Sequence, residues 1–156
     1  LFKLDDKSAV LEASIDEATL NVHSDLLKDD EFVVITGRVQ HDHFSGGLRV
    51  KAQKVFSLAD ARCRFARYLQ VDAAHKVPDV LRILREFPAK LERTEEGELR
   101  HGLKIRLGVR CEAQGMAAVA ELDVGDKHKF YPSDAALAAW RAEVGNTGCQ
   151  IVWRGA

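Results

Sequence analysis

Apolar and polar positions alternate with a period of two through Val33, Ile35, Gly37 and Val39, and again through Leu48, Val50 and Ala52 with Arg49, Lys51 and Gln53 on the other phase. Alternation of this kind turns one face of a strand to a core and the other to water, so the two runs predict a half-buried antiparallel hairpin. Ser45, Gly46 and Gly47 can supply the positive φ angles of a reversal, which places the turn near residues 42–47. Upstream, Leu1, Phe2 and Leu4 alternate as a strand, Asp5, Asp6, Lys7 and Ser8 make a turn, and residues 9–15 return as a second strand. Asp16 or Ser14 then caps a short helix through Leu27, with Leu20 and Leu27 facing inward, and residues 28–30 end it.

The pattern changes period after the hairpin. Ser57 followed by Asp60 resembles a capping box, and Leu58, Ala61, Phe65 and Leu69 keep helical spacing, so a helix over residues 59–67 marks the boundary between two domains, 1–58 and 59–156. Beyond it the elements read as a strand at 68–72, then a helix opened by Pro78 with Val80, Leu81 and Leu84 as its buried stripe. Residues 88–101 are charged and without periodicity, the pattern of a solvated loop. Leu103, Ile105, Leu107, Val109 and Cys111 form the cleanest strand, with 116–122 and 127–131 as its antiparallel partner. Ser133 caps a helix carrying Leu137, Trp140 and Val144, stopped by Gly145, and Cys149, Ile151 and Trp153 mark a last strand. Strand, helix, strand, strand, helix, strand is the order of a small ferredoxin-like (split βαβ) domain, and the fold class is α+β.

Composition narrows the function only by exclusion. With 156 residues and 46% hydrophobic content the chain can bury a core, and 23 basic against 24 acidic side chains leave no global charge that would announce nucleic-acid binding. Locally the balance differs: residues 1–58 hold 7 basic and 10 acidic side chains, whereas 48–67 hold 6 basic and 1 acidic. Cys63, Cys111 and Cys149 are distant in sequence and odd in number, with no C-x-x-C, so a reduced, cytoplasmic setting is expected and a disulfide framework is not. No run is long enough to span a membrane and no signal peptide opens the chain, whose first residue, Leu1, suggests a processed product or a piece cut from something longer.

Most of the chemical candidates dissolve on inspection. His41-Asp42-His43 carries metal-ligand types but lacks a third ligand pair at a recognisable spacing, Asp5-Asp6 and Asp29-Asp30 read as turn formers, and 92–98 as a solvated acidic stretch. Cys63, flanked by Arg62, Arg64 and Arg67, has the surroundings of a lowered thiol pKa but no histidine or second cysteine nearby in sequence. No nucleotide-binding loop or nucleophile elbow is present, and no catalytic residue or resident metal is expected. One constellation remains: Arg49 and Lys51 on one strand face, Arg38 on the facing strand, and His41 and Phe44 in the loop between. Cations for phosphates beside an aromatic for base stacking are what single-stranded nucleic acid binding uses.

The run GRVQHDHFSGGLRVKAQKVFSLADARCRFA, with Gly37, Val39, Asp42, Phe44, Gly46, Gly47, Leu48, Ala59 and the Ala61-Arg62 pair, resembles the C-terminal region of the bacterial replicative DNA polymerase III alpha subunits. The resemblance extends upstream through Leu4-Asp5-Asp6 and residues 20–27 and downstream to KFYPSDAALAAWRAEVGNTGCQIVW; it departs at Ser8-Ala9, where the family has glycine, and at Ile15, where it has an aromatic. It implies a partial OB-type barrel over 1–58 whose first strand is missing, leaving an edge open to rearrangement or oligomer formation, followed by a domain that docks the clamp-loader tau subunit. It implies also that the parent is a nucleotidyltransferase of DNA replication whose carboxylates and Mg ions lie in another domain, and that its partners are single-stranded DNA and the replisome. Arg38, His41, Phe44, Arg49 and Lys51 are then the expected DNA contacts, and Phe130 and Trp153, expected to be exposed, the partner contacts. A free-standing OB-type single-strand binding protein, an error-prone polymerase relative and a metal-dependent hydrolase built on His41 and His43 are the alternatives.

Overall fold

The structure, a computed structural model, describes residues 1–43 and 46–155. The chain forms two compact units, Leu1–Leu58 and Ala59–Ala156. In the first, strands β1 (Phe2–Asp5) and β2 (Val10–Ser14) are followed by helix α1 (Glu17–His23) and the hairpin β3 (Val33–His41) and β4 (Leu48–Ser57). Asp5 and Asp6 take the role of turn formers. The Asp5 carboxylate accepts from the Lys7 amide at 2.7 Å and that of Asp6 from the Ser8 and Ala9 amides. Asp16 caps α1, its carboxylate accepting from the Thr19 amide at 2.7 Å, but the helix ends at His23 and buries no residue. Leu20 is exposed rather than inward.

The four strands form one open sheet in the order β1-β2-β4-β3, antiparallel except where β2 runs parallel to β4. The barrel implied by the resemblance is therefore not closed: β1 and β3 are both edges. Within the hairpin, His41 pairs with Leu48, Val39 with Val50 and Gly37 with Ala52, as the alternation predicts. The register then slips between Thr36 and Gly37, because Thr36 pairs with Lys54 and leaves Gln53 without a strand partner. This bulge inverts the phase of β4, which is why Ala52 and Val55, three residues apart, are both buried. It also brings backbones together. A Cβ on Gly37 would collide with the Lys51 carbonyl, so this position has room only for glycine.

The second unit begins with α2 (Leu58–Phe65) and runs β5 (Ala66–Asp72), α3 (Val80–Glu86), β6 (Lys90–Thr94), β7 (Gly97–His101), β8 (Ile105–Ala113), β9 (Met116–Asp123), α4 (Asp134–Val144) and β10 (Cys149–Trp153). Its main sheet has the order β10-β5-β8-β9, with β5 parallel to β8 and the other pairs antiparallel. The fold is α+β, but the expected split of the βαβ does not form. β5 and β8 are direct neighbours, Leu69 opposite Ile105 and Val71 opposite Leu107, and no strand lies between them. Residues 88–101, expected as a loop, contain the two-stranded β6–β7 ribbon. Every residue of it but His101 is exposed, so its strands carry no core face and their sequence no apolar period. Of the expected strand at 127–131 only two isolated bridges remain among the described residues, from Phe130 to Leu103 and to Pro88.

Leu69, Val71, Leu103 and Ile105 from the sheet side meet Ile83 of α3 and Ala136, Leu137 and Trp140 of α4 in one cluster, with Phe130 packed edge-on to Trp140 at 5.8 Å between ring centroids. In α3 the inward residue is Ile83, with Val80 and Leu84 beside it, whereas Leu81 is exposed, since the stripe follows a 3.6-residue period from Val80 rather than consecutive positions. Ser133 caps α4 by accepting from the Ala136 amide, and Gly145 ends it in a positive-φ conformation.

The two units are unequal in core. Full burial in the second reaches Trp140, Phe130, Leu69, Ile83, Leu103 and Ile105, while in the first only Ala13, Ala52 and Val55 are fully buried apolar residues among the described ones. Burial stabilises by about 25 cal/mol per Å² of apolar surface, so the second unit is the more stable. Hydrogen exchange should show β5 and β8 amides outlasting those of β2 and β4; equal protection would contradict this ranking. Gly37→Ala should cost about 3 kcal/mol or more, the upper end of overpacking in a close-packed site. The read-out is loss of amide protection across the β3–β4 hairpin with β5 and β8 unaffected.

Candidate nucleic-acid interface

On the face of the first sheet opposite Ala13, Val50 and Ala52, pairing sets two rows of polar side chains across the strands. Glu12, Arg49 and Gln40 stand side by side in one row, and Ser14, Lys51 and Arg38 in the next. The two rows behave differently. Arg49 donates from Nη2 to a Glu12 carboxylate oxygen at 3.0 Å and to an Asp42 carboxylate oxygen at 3.0 Å, and the Asp42 side chain is only 8% exposed. One cation held between two carboxylates joins β2 to the end of the hairpin, so Arg49 is a clasp rather than an open phosphate site. Burial leaves its Nε without a partner among the described residues.

Lys51 and Arg38 face each other across β4 and β3, and both are exposed, with no ion pair or hydrogen bond among the described residues. Like charges directly opposite on one sheet face destabilise it unless an anion lies between them. Lys54 joins them: paired with Thr36 beyond the bulge, it falls on the same face as Arg38 and Lys51. Simple alternation from Lys51 would turn it inward. The signal that could have found it is the spacing of Ala52 and Val55, two apolar positions three apart in a strand, which requires a phase break.

His41 stands apart from this group. It pairs with Leu48 and belongs to the alternate phase, with Val39 and Val50, so the structure separates it from Arg38 and Lys51. Phe44 lies outside the described residues. Asp42 closes the turn through its backbone, its amide donating to the Gly47 carbonyl and its carbonyl accepting from the Gly46 amide, both at 2.9 Å. Among the described residues no group of three or more His, Cys, Asp or Glu side chains is placed to hold a metal ion. The Cys63 thiol is pushed up to about 11, by burial first and the nearby Asp60 carboxylate second, the reverse of the activation its arginine neighbours in sequence would suggest.

The two expected partner contacts also part company. Trp153 on the edge strand β10 is 51% exposed, but Phe130 is fully buried under Trp140 and bridged to Leu103, where no partner can reach it. The open surface of this unit is a different one. A groove of about 470 Å³ crosses the helix-free side of the main sheet, lined among others by Gln70, Asp72, Gly108, Arg110, Glu121 and Gln150. No described helix is long and apolar enough to cross a membrane.

Comparison with known proteins adds what geometry does not. The chain is 30% identical over 153 residues to DNA polymerase III subunit alpha of Pseudomonas aeruginosa and 29% identical over 153 residues to that of Pseudomonas fluorescens, in each case across 97% of this chain. Against the Escherichia coli K12 subunit it is 29% identical over 148 residues, 95% of the chain. No family model and no solved structure matches it. The chain spans about 12% of the length of each of these relatives. Similarity that runs almost end to end through both units, against one part of a much longer protein, makes this chain a homologue of the C-terminal region of the bacterial DNA polymerase III alpha subunits.

Proposed function

We propose that the chain serves chromosomal DNA replication as a non-catalytic part of a polymerase alpha subunit, its first unit holding single-stranded template and its second docking the clamp-loader tau subunit. Polymerisation and its Mg ions belong to the remainder of the parent. The observation that carries the template reading is the Arg38–Lys51 pair, two cations opposite each other on an exposed sheet face with no ion pair among the described residues, the Asp16 carboxylate attracting Lys51 only from beyond ion-pair distance. A bound phosphate relieves that repulsion, and a strand of DNA supplies phosphates in series. The open sheet supports an OB-type reading. Four strands whose two edges, β1 and β3, are both unpaired are what a five-stranded barrel leaves when the strand between those edges is taken away.

The roles of the three cations separate in a test on the full chain with a fluorescent oligo(dT) strand. Replacing Arg38 and Lys51 together by alanine should weaken binding and flatten the log–log salt dependence by about 0.7 for each phosphate no longer neutralised. Replacing Arg49 should instead lower stability, because Glu12 and Asp42 lose their shared cation. If the double variant binds as tightly and with the same salt slope, the first unit is not a template site.

Docking of tau is tested by titrating the chain onto immobilised tau. Trp153→Ala should weaken the complex measurably, with Phe130→Ala destabilising the whole second unit by about 3–5 kcal/mol. No complex with the unmodified chain would remove the docking role. A free-standing single-strand binding protein would use the same Arg38–Lys51 face, and the reading frame upstream of the Leu1 codon separates the two.

A further inference from the structure

Two glycines interrupt strand interiors, and only one is explained by the fold. Gly37 is required by the approach of the Lys51 carbonyl at the bulge. Gly108, in the middle of β8, has no such reason. Its φ lies outside the positive region, and its register with Asp72 on one side and Glu121 on the other is unbroken. A Cβ there would come no closer than 3.4 Å, to the end of the Gln70 side chain. Mid-strand glycine weakens a strand by roughly 0.5–1 kcal/mol relative to alanine. When neither a bulge nor packing demands it, the remaining physical use is close approach by another chain.

Gly108 forms part of the lining of the groove on the helix-free side of the sheet, and what surrounds it is polar in a specific way. Gln70 and Gln150 are a cross-strand pair, and neither carboxamide has a hydrogen-bond partner among the described residues. Each presents a donor and an acceptor at side-chain reach, the equipment for bonding a peptide backbone. The charges are lopsided. Arg110 is already held by Glu112, outside the lining, at 2.7 Å. The carboxylate of Asp72 accepts only from the Ala74 amide among the described residues, and Glu121 reaches Arg106 no closer than 3.6 Å, an arginine it shares with Asp123. The groove therefore offers two weakly compensated carboxylates about a flat floor, which repels phosphate and attracts a basic side chain.

We propose that this groove is the docking site for an extended, basic segment of a partner protein, whose backbone lies against Gly108 and bonds Gln70 and Gln150 while a lysine or arginine reaches Asp72 and Glu121. This rests on the reading that the second unit docks tau, and it names the surface and the chemistry of the tau segment that surface fits. The segment is expected to lie flat on the sheet, with small apolar side chains beside its cation.

The test uses the full chain, purified tau and an oligo(dT) strand. Gly108→Ala fits the fold and should keep or raise the unfolding midpoint while weakening tau binding about threefold; Gly108→Leu should weaken it about tenfold or more. Asp72→Asn with Glu121→Gln, which does not alter the floor, should weaken binding at low salt and flatten its salt dependence. If tau binds the unmodified chain and all three variants equally, the groove is not the site, although the docking role stands. If tau does not bind the unmodified chain, the docking role fails and the groove assignment with it. If the Gly108 variants lose oligo(dT) rather than tau, the groove takes nucleic acid and the proposal is overturned.

Discussion

Strand side chains alternate between two faces, and a sheet covered on one side must leave the other to solvent. Everything of functional interest in this chain follows from that constraint. In the second unit α3 and α4 take one face of the sheet, through Ile83, Leu137 and Trp140, and seal it with Phe130. The face they leave carries Gln70, Gly108 and Gln150. In the first unit the inward phase is made of small residues, Ala13 and Ala52 with Val55, and the outward phase of Arg38, Lys51 and Lys54. Each surface is the reverse side of a core.

The alternation is informative because it is broken in one place. The bulge at Gln53 moves Lys54 to the face of Lys51 and Val55 to the face of Ala52, and Gly37 is the condition for it, since no side chain fits against the Lys51 carbonyl. Arg49 then has a role unlike its neighbours. Bound by Glu12 and Asp42, it ties β2 to the end of the hairpin and leaves open charge to Arg38 and Lys51. A cluster that looks uniform as a run of basic residues is divided into an ion-paired member and two members without an ion pair among the described residues by where the carboxylates fall.

Similarity to the polymerase alpha subunits and the geometry of the two units address different questions. Identity near 30% along almost the whole chain states its ancestry, while the relatives' names say nothing about which of these residues do what. The placement of cations and carboxylates speaks to that. In the reading proposed above, the outward face of the first sheet takes nucleic acid and the helix-free face of the second a cationic protein segment, because phosphate and lysine seek opposite fields.

By itself, the sequence determined the elements whose signals are local. The β3–β4 pairing, the turn carboxylates of Asp5 and Asp6, the Ser133 cap and the Gly145 stop were all legible, since alternation, turn chemistry and capping act over a few residues. It also carried the ancestry. Only the tertiary structure decided that β5 and β8 are neighbours, that residues 90–101 pair although no core asks them to, that Phe130 is buried while Trp153 is not, and that His41 lies away from Arg38. Strand order, burial of a lone aromatic and the partner of a charge all depend on residues far away in sequence. Arg49 waits on Glu12, 37 residues earlier, to show whether it binds DNA or holds the sheet together.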